Sequence, residues 1–243
     1  MQQIIKAGAL ILVLVVPALV FLFLRFFGEN HFSLKTYYPL TNPSTGDVLV
    51  RASPDADWWE SPKDTVFYTV PSYTLSVPPK DSTSGRLKLK STKDFKDKIV
   101  IVSFTGSVCD QTCLQTAGQI SRILDIFNKE SEIVALTLMD RLGAARPLQH
   151  QWGNMPDKWT LGQPTHKSVQ RVADYEFRFN ERPIINPKKE TFAYNEGFVL
   201  VDKEGHIRGY YKSTDKTDVD RLILEIRVLL DVYAKNNLTN GNA

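Results

Sequence analysis

A short run of β-branched residues leads directly into the only two cysteines of the chain. The run Lys98–Phe104 has the sequence KIVIVSF, which predicts a buried strand, and Cys109 and Cys113 follow it. Apolar residues then recur at helical spacing and predict an amphipathic helix: Leu114, Ala117, Ile120, Ile123, Leu124 and Phe127. A second buried strand is predicted at Ile133–Met139. The block predicts parallel strands joined by a helix, with the cysteines at the carboxyl end of the first strand, where open α/β sheets place their ligand sites.

A helix, a β-hairpin and a last helix are predicted after the second strand. Thr165 is predicted to cap a helix that carries Val169, Val172, Ala173 and Phe177. Gly197–Asp202 and His206–Tyr211 are predicted to form a β-hairpin. A last amphipathic helix carries six apolar residues: Val219, Leu222, Ile223, Ile226, Leu229 and Leu230. Strand, helix, strand, helix, hairpin and helix is the order of the thioredoxin fold, so we predict an α/β, thioredoxin-like domain with a central mixed sheet flanked by helices.

The amino terminus predicts a membrane anchor. From Ala7 to Leu24 there are 18 residues without a charge, between Lys6 and Arg25. As a helix this run is roughly 27 Å long, which is enough for the hydrocarbon core of a bilayer. A cleaved signal peptide is the competing interpretation, but no Ala-x-Ala site follows the apolar run. We therefore predict one uncleaved transmembrane helix, with residues 1–27 as the anchor, preceding the folded domain.

The other segments are assigned from their composition. Residues 28–66 are rich in turn formers and are predicted to be a linker or extension. Its Tyr37-Tyr38 and Trp58-Trp59 pairs either dock on the domain or the membrane interface, or belong to a loosely packed spacer. Residues 67–236 form the predicted domain and 237–243 a polar tail. The net charge of +3 is small and scattered, so nucleic acid is not expected as a partner.

The two cysteines predict a redox or metal site, because a disulfide scaffold would need more of them, spread along the chain. Residues four apart in a helix have Cβ atoms about 5 to 6 Å apart, whereas a disulfide needs roughly 3.5 to 4.5 Å. Cys109 and Cys113 can therefore be oxidised to a disulfide only if Cys109 lies in the loop before the helix. Two thiolates also suit Cu(I), a soft ion. A third interpretation is that both are buried structural cysteines.

Three blocks together resemble the Sco/SenC family: the strand–CxxxC–helix block, Trp159-Thr-Leu with the helix after it, and the hairpin Phe198–Tyr211. The resemblance implies a thioredoxin-like domain on a membrane anchor, exposed on the extracytoplasmic (periplasmic) side. It also implies a role in assembling the copper site of cytochrome c oxidase. Members of the family bind copper through both cysteines and a histidine, or reduce the cysteines of the oxidase subunit. By this resemblance Cys109 and Cys113 are the redox pair and the copper ligands.

The sequence departs from the family pattern at the third ligand. Tyr194 stands where the family has its histidine, and Asp110 and Leu114 replace the prolines that usually follow the cysteines. His150 and His166 are candidate substitute ligands; His31 and His206 complete the set of four. Three functions remain open: a copper chaperone without the usual histidine, a general extracytoplasmic thiol-disulfide reductant, and a non-catalytic binding module. The expected partners are the membrane and an oxidase subunit or another extracytoplasmic client.

Overall fold

The computed structural model describes residues 15–23, 34–51, 64–78, 87–148, 155–183 and 192–240. The chain divides into two compact units, Met1–Ser33 and Leu34–Ala243. In the first unit, residues 15–23 are helical, and the rest of the predicted 1–27 anchor lies outside the described residues. Within the described part of the chain, no helix has both the length and the apolar character needed to cross a membrane.

The strands of the second unit form a small ribbon and a seven-stranded mixed sheet. The ribbon pairs β1 (Val50–Arg51) with β2 (Asp64–Thr65). The order of the sheet is β4-β3-β7-β6-β5-β8-β9. Its strands are β3 (Thr74–Val77), β4 (Lys88–Ser91), β5 (Ile99–Thr105), β6 (Ile133–Met139), β7 (Trp159–Pro164), β8 (Gly197–Val201) and β9 (Ile207–Lys212). The central strands β5, β6 and β7 are parallel, whereas the remaining neighbours pair in antiparallel fashion.

The helices are α1 (Gln111–Ile126), a short α2 (Val169–Arg171) that continues as a π-helical turn (Val172–Glu176), and α3 (Lys216–Asn240). Single 3-10 turns lie at Thr92–Phe95, Leu142–Ala145, Phe179–Glu181 and Tyr194–Glu196. Ser168 caps α2 by accepting the Arg171 N–H, so the prediction of Thr165 as the cap was wrong. The helix α3 also continues through residues 237–240, which were predicted to belong to the polar tail.

Two apolar layers cover the two faces of the sheet. Every residue of β5 is buried, as expected for a central parallel strand with elements on both faces. Ile99 and Ile101 pack with residues of α1 and α3 on one face. Val102 and Phe104 pack on the other face with the aromatic residues near α2, including Phe177. The alternation of β5 thus fixes which face holds the cysteine-bearing helix.

The compact unit begins earlier than the predicted boundary at Phe67. The Tyr37 N–H donates to the Ile207 carbonyl oxygen (3.0 Å), and the hydroxyls of Tyr38 and Tyr210 are hydrogen-bonded at 2.9 Å. Residues 34–51 belong to this compact unit, and Tyr37 and Tyr38 connect the segment to the sheet. Of the two aromatic pairs in the predicted 28–66 linker, Tyr37-Tyr38 docks on the domain, and Trp58-Trp59 lies outside the described residues.

Two tyrosines whose hydroxyls are buried on this face predict opposite effects of removing a hydroxyl. Among the described residues the Tyr73 hydroxyl has no hydrogen-bond partner, whereas the Tyr210 hydroxyl donates to the Phe177 carbonyl oxygen (2.7 Å). We expect Tyr73→Phe to raise the free energy of unfolding at pH 7 by about 1 kcal/mol, because a buried unsatisfied donor is removed. Tyr210→Phe should lower it by a similar amount. Urea titrations of both variants measure the two changes.

The response of stability to alkaline pH is a second test of Tyr73. Burial raises the pKa of Tyr73 well above its ordinary value, so the folded state keeps its proton while the unfolded state loses it above about pH 10. Because only the folded state keeps this proton, the free energy of unfolding falls as pH rises above about 10, by up to about 1.4 kcal/mol per pH unit. Tyr73→Phe should remove this part of the slope. A Tyr73→Phe variant that is less stable than the unchanged protein both at pH 7 and above pH 10 would contradict the buried, unpaired hydroxyl.

Candidate functional site

The cysteines lie where the sheet passes into the first long helix. Strand β5 ends at Thr105, and the exposed residues Ser107 and Val108 lead to Cys109. Asp110 is the N-cap of α1, and its carboxylate accepts the Cys113 N–H at 3.0 Å. An aspartate is among the best N-caps because it satisfies an otherwise unpaired amide. Cys109 therefore precedes the helix and Cys113 lies in its first turn, as the geometry of a disulfide requires.

The two sulfur atoms are bonded to each other. The Cys109–Cys113 disulfide joins Cα atoms 5.1 Å apart. Its two ends differ in burial: Cys109 is partly exposed, whereas Cys113 is only 6% exposed and packs with Ala117 and Ile120 in the core. The sulfurs thus converge at the sheet–helix junction, and a nucleophile from solvent reaches Cys109 more readily than Cys113.

Thr105 contributes a hydroxyl to the inner end of the disulfide. Its Oγ1 donates to the Cys113 Sγ at 3.7 Å, and the side chain is buried beneath α1. Sequence reasoning did not name this residue. The signal was the alternation of β5, because Thr105 follows Ile99 and Ile101 at even spacing and so faces the same helix.

Tyr194 lies beside the cysteine loop. The 3-10 turn Tyr194–Glu196 packs against both β5 and α1. The Tyr194 hydroxyl oxygen is 3.9 Å from the position that a Cβ atom would take on Gly106, and its ring packs edge-on against Phe104 with centroids 6.4 Å apart. Burial, and then the nearby carboxylates of Asp140 and Asp174, raise the pKa of Tyr194. The side chain at this place is therefore a neutral phenol at physiological pH.

Comparison with known proteins locates this arrangement among known folds. No protein-family model matches the sequence, and no curated protein matches it either. A SCO1/SenC family lipoprotein from Bacillus anthracis is 15% identical, with a TM-score of 0.51 over 67% of this chain and 95% of that chain. The domain has a Sco-like thioredoxin fold.

Two further Sco structures are similar to this chain. BsSco, a member of the Sco family of cytochrome c oxidase assembly proteins in which a disulfide switch was identified, is 15% identical with a TM-score of 0.50. That similarity covers 67% of this chain and 93% of BsSco. Yeast Sco1 with copper bound is 15% identical with a TM-score of 0.44, over 65% of this chain and 88% of that one.

The Sco-like domain does not bring a histidine to the sulfurs within the part of the chain that is described. His166 is exposed after β7, and His206 lies in the β8–β9 turn, with its Nδ1 3.6 Å from Asp202. His31 and His150 lie outside the described residues. The described residues hold one cluster of three potential ligand side chains, Asp202, Glu204 and His206, and it contains neither cysteine.

Proposed function

We propose that this protein is a membrane-anchored, Sco-like assembly factor whose Cys109–Cys113 pair exchanges electrons with the thiols of the copper-site subunit of cytochrome c oxidase. The observation that carries the proposal is the disulfide itself, formed at the sheet–helix junction with one partly exposed and one buried sulfur. The disulfide switch named for BsSco, which shares this fold, supports the same use of a cysteine pair.

The burial of the two sulfurs assigns their order of action. In the reduced protein the Cys109 thiolate attacks a client disulfide, a mixed disulfide forms, and the other client sulfur leaves as a thiolate. The Cys113 thiolate then attacks the Cys109 sulfur, the intramolecular bond forms, and the second client sulfur leaves. The client gains two electrons and the pair loses two, while the protons released by Cys109 and Cys113 go to the client thiolates.

The proposed location is the extracytoplasmic, periplasmic side of a membrane, with the uncharged run Ala7–Leu24 as the anchor. A formed disulfide suits that compartment, because disulfides persist where the surroundings are oxidising. The predicted span also fits the thickness of a bilayer. An oxidase subunit that faces this side would then meet Cys109 without crossing the membrane.

Carriage of Cu(I) to the oxidase is the second candidate function. Two thiolates one helical turn apart are soft ligands that favour Cu(I), and reduction of the disulfide would free both of them. The residues fit copper poorly at the position of the third ligand, because the neutral phenol of Tyr194 stands in place of an imidazole. This favours thiol-disulfide exchange over stable copper binding. A general extracytoplasmic reductant and a non-catalytic binding module are the third and fourth candidate functions.

One experiment with two arms tests whether the protein carries out thiol-disulfide exchange or carries Cu(I). The reduced full-length protein in detergent is mixed without oxygen with the oxidised copper-site domain of the oxidase subunit, and thiols on both partners are counted by mass spectrometry after alkylation. We expect two thiols to appear on the client for each pair lost from Cys109 and Cys113. In the second arm the reduced protein competes with a Cu(I) chelator. We expect Tyr194→His to bind Cu(I) at least about tenfold more tightly than the unchanged protein, since imidazole suits copper and phenol does not.

Tyr194→Phe is the matched control for the copper arm, since it removes the hydroxyl without adding a nitrogen, and it should leave the copper affinity unchanged. If the unchanged protein already retained one equivalent of Cu(I) against the chelator, and no thiols moved to the client, copper carriage would replace exchange as the preferred function. Exchange with any exposed disulfide at an equal rate would favour a general reductant.

A further inference from the structure

We infer that Thr105 is a positioning residue that shifts the equilibrium of the Cys109–Cys113 pair toward its reduced form. The inference rests on the proposed exchange function and adds to it a residue that sets how readily the pair gives up its electrons. Thr105 is not one of the sulfur-bearing residues, and it acts only through Cys113. The observation behind it is the hydrogen bond from Thr105 Oγ1 to Cys113 Sγ at 3.7 Å.

The hydroxyl is held in place before the sulfur changes state. Thr105 is the last residue of β5 and is only 4% exposed, and its carbonyl oxygen accepts the Asp140 N–H at 3.3 Å. A β-branched side chain has a restricted χ1 angle, so little freedom is lost when the hydroxyl bonds to sulfur. Cys113 is also buried, which keeps water from competing for that sulfur. The donor is therefore preorganised.

The hydrogen bond differs in strength between the two redox states. A disulfide sulfur is a weak acceptor, whereas reduction by two electrons and two protons converts the pair to two thiols, and a Cys113 thiol that gives up its proton becomes an ionised acceptor. Hydrogen bonds to an ionised acceptor are about twice as strong as neutral ones. Thr105 therefore stabilises the reduced pair more than the oxidised pair, and so raises the reduction potential.

Two other features near Cys113 act against the effect of the Thr105 hydroxyl. The Asp110 carboxylate already accepts the Cys113 N–H, so that amide is engaged by a negative group at the start of α1. Burial also disfavours a charged sulfur at this position. Both effects oppose a Cys113 thiolate, whereas the Thr105 hydroxyl favours it. Loss of that hydroxyl leaves the opposing effects in place.

Thr105→Val is the direct test, because valine keeps the shape of threonine and removes the hydroxyl. The full-length protein is equilibrated in dithiothreitol redox buffers, and the fraction oxidised is read by alkylation and mass spectrometry. We expect the equilibrium constant to shift about tenfold toward the disulfide, which corresponds to a potential lower by about 30 mV. Thr105→Ser retains the hydroxyl, so its reduction potential should lie close to that of the unchanged protein.

Thr116→Val is a matched control on the helix that carries Cys113. Thr116 is also 4% exposed, and its hydroxyl is hydrogen-bonded to the Ser213 hydroxyl at 2.7 Å rather than to a sulfur. Thr116→Val should lower the free energy of unfolding and leave the reduction potential of the cysteine pair unchanged. An unchanged potential in Thr105→Val, or an equal shift in Thr116→Val, would overturn the inference. The measurement uses no client, so a failure to exchange with the oxidase subunit would count against the proposed function alone.

Discussion

Replacing Cys113 with serine should abolish client turnover and leave the protein covalently attached to its client through Cys109. Cys109 is partly exposed at the end of the β5–α1 loop and remains able to attack a client disulfide. Without the Cys113 sulfur nothing within the protein can resolve the mixed disulfide that results. Non-reducing electrophoresis and mass spectrometry of the reduced variant after incubation with oxidised client measure the trapped species.

Cys109→Ser is the counterpart variant, and its expected behaviour is different. It should also lose all turnover, but it should trap little client, because Cys113 is 6% exposed and packs into the core. Both variants lack the disulfide, which contributes about 2 kcal/mol through the chain entropy of so short a loop. Urea titrations of the two variants check that both are folded in the trapping experiment. Equal trapping by the two variants would show that the assigned order of attack is wrong.

Phe104→Ala should lower the free energy of unfolding by about 3 to 5 kcal/mol, the range for removing a fully buried aromatic ring. Phe104 is 1% exposed, and its ring packs edge-on against Phe177 (5.4 Å between centroids), Phe179 (6.0 Å) and Tyr194. The substitution opens a cavity among three other rings and removes the support beneath Tyr194. Urea unfolding of the oxidised protein, with the slope m compared between variants, measures the loss.

Phe104→Leu separates the lost volume from the lost ring. It fills most of the space and should lose clearly less stability than the alanine variant, because much less cavity remains. If both variants lost the same amount, edge-on ring contacts rather than volume would account for the effect. A loss below about 1 kcal/mol in Phe104→Ala would contradict the close packing of this cluster.

Much of the fold follows from local patterns in the sequence. The strand predicted at Ile133–Met139 has those bounds in the structure, and the apolar stripe after Cys113 became α1. The hairpin of β8 and β9 and the last helix were also predicted. These elements are recognisable because burial imposes a period of two residues on a strand and about 3.6 on a helix.

Other features depend on contacts between residues distant in sequence. Nothing in the pattern around Tyr38 indicates that its hydroxyl meets that of Tyr210, so the start of the compact unit was placed too late. The strand β3, Thr74–Val77, is short and follows an apolar-aromatic stretch that is broken by Pro71, which weakens the alternation. The cap of α2 was misplaced because Thr165 and Ser168 are both good N-caps.

The candidate site was predictable in its position and less so in its asymmetry. The requirement that Cys109 precede the helix came from distances alone, and the structure meets it. The sequence did indicate that Cys113 is buried, because it lies four residues before Ala117 on the apolar stripe of α1. The position of Tyr194 beside the cysteine loop was indicated only by the resemblance, in which this position holds the third ligand. No local pattern shows it, since it depends on how the 3-10 turn Tyr194–Glu196 meets β5.

The amino-terminal extension also bears on self-association. Strand β9 ends the order of the sheet, so among the described strands it has a neighbour on one side alone, and the Tyr37 N–H bonds to the Ile207 carbonyl oxygen. Thr36 and Arg208 add a side-chain hydrogen bond beside it. A chain shortened to begin at Phe67 would leave those backbone groups uncovered, and an open row of amides and carbonyls is a template on which a second molecule can add its own strand. Thr36 and Tyr37 thus cover part of this edge, and we expect their removal to favour edge-to-edge association of two molecules.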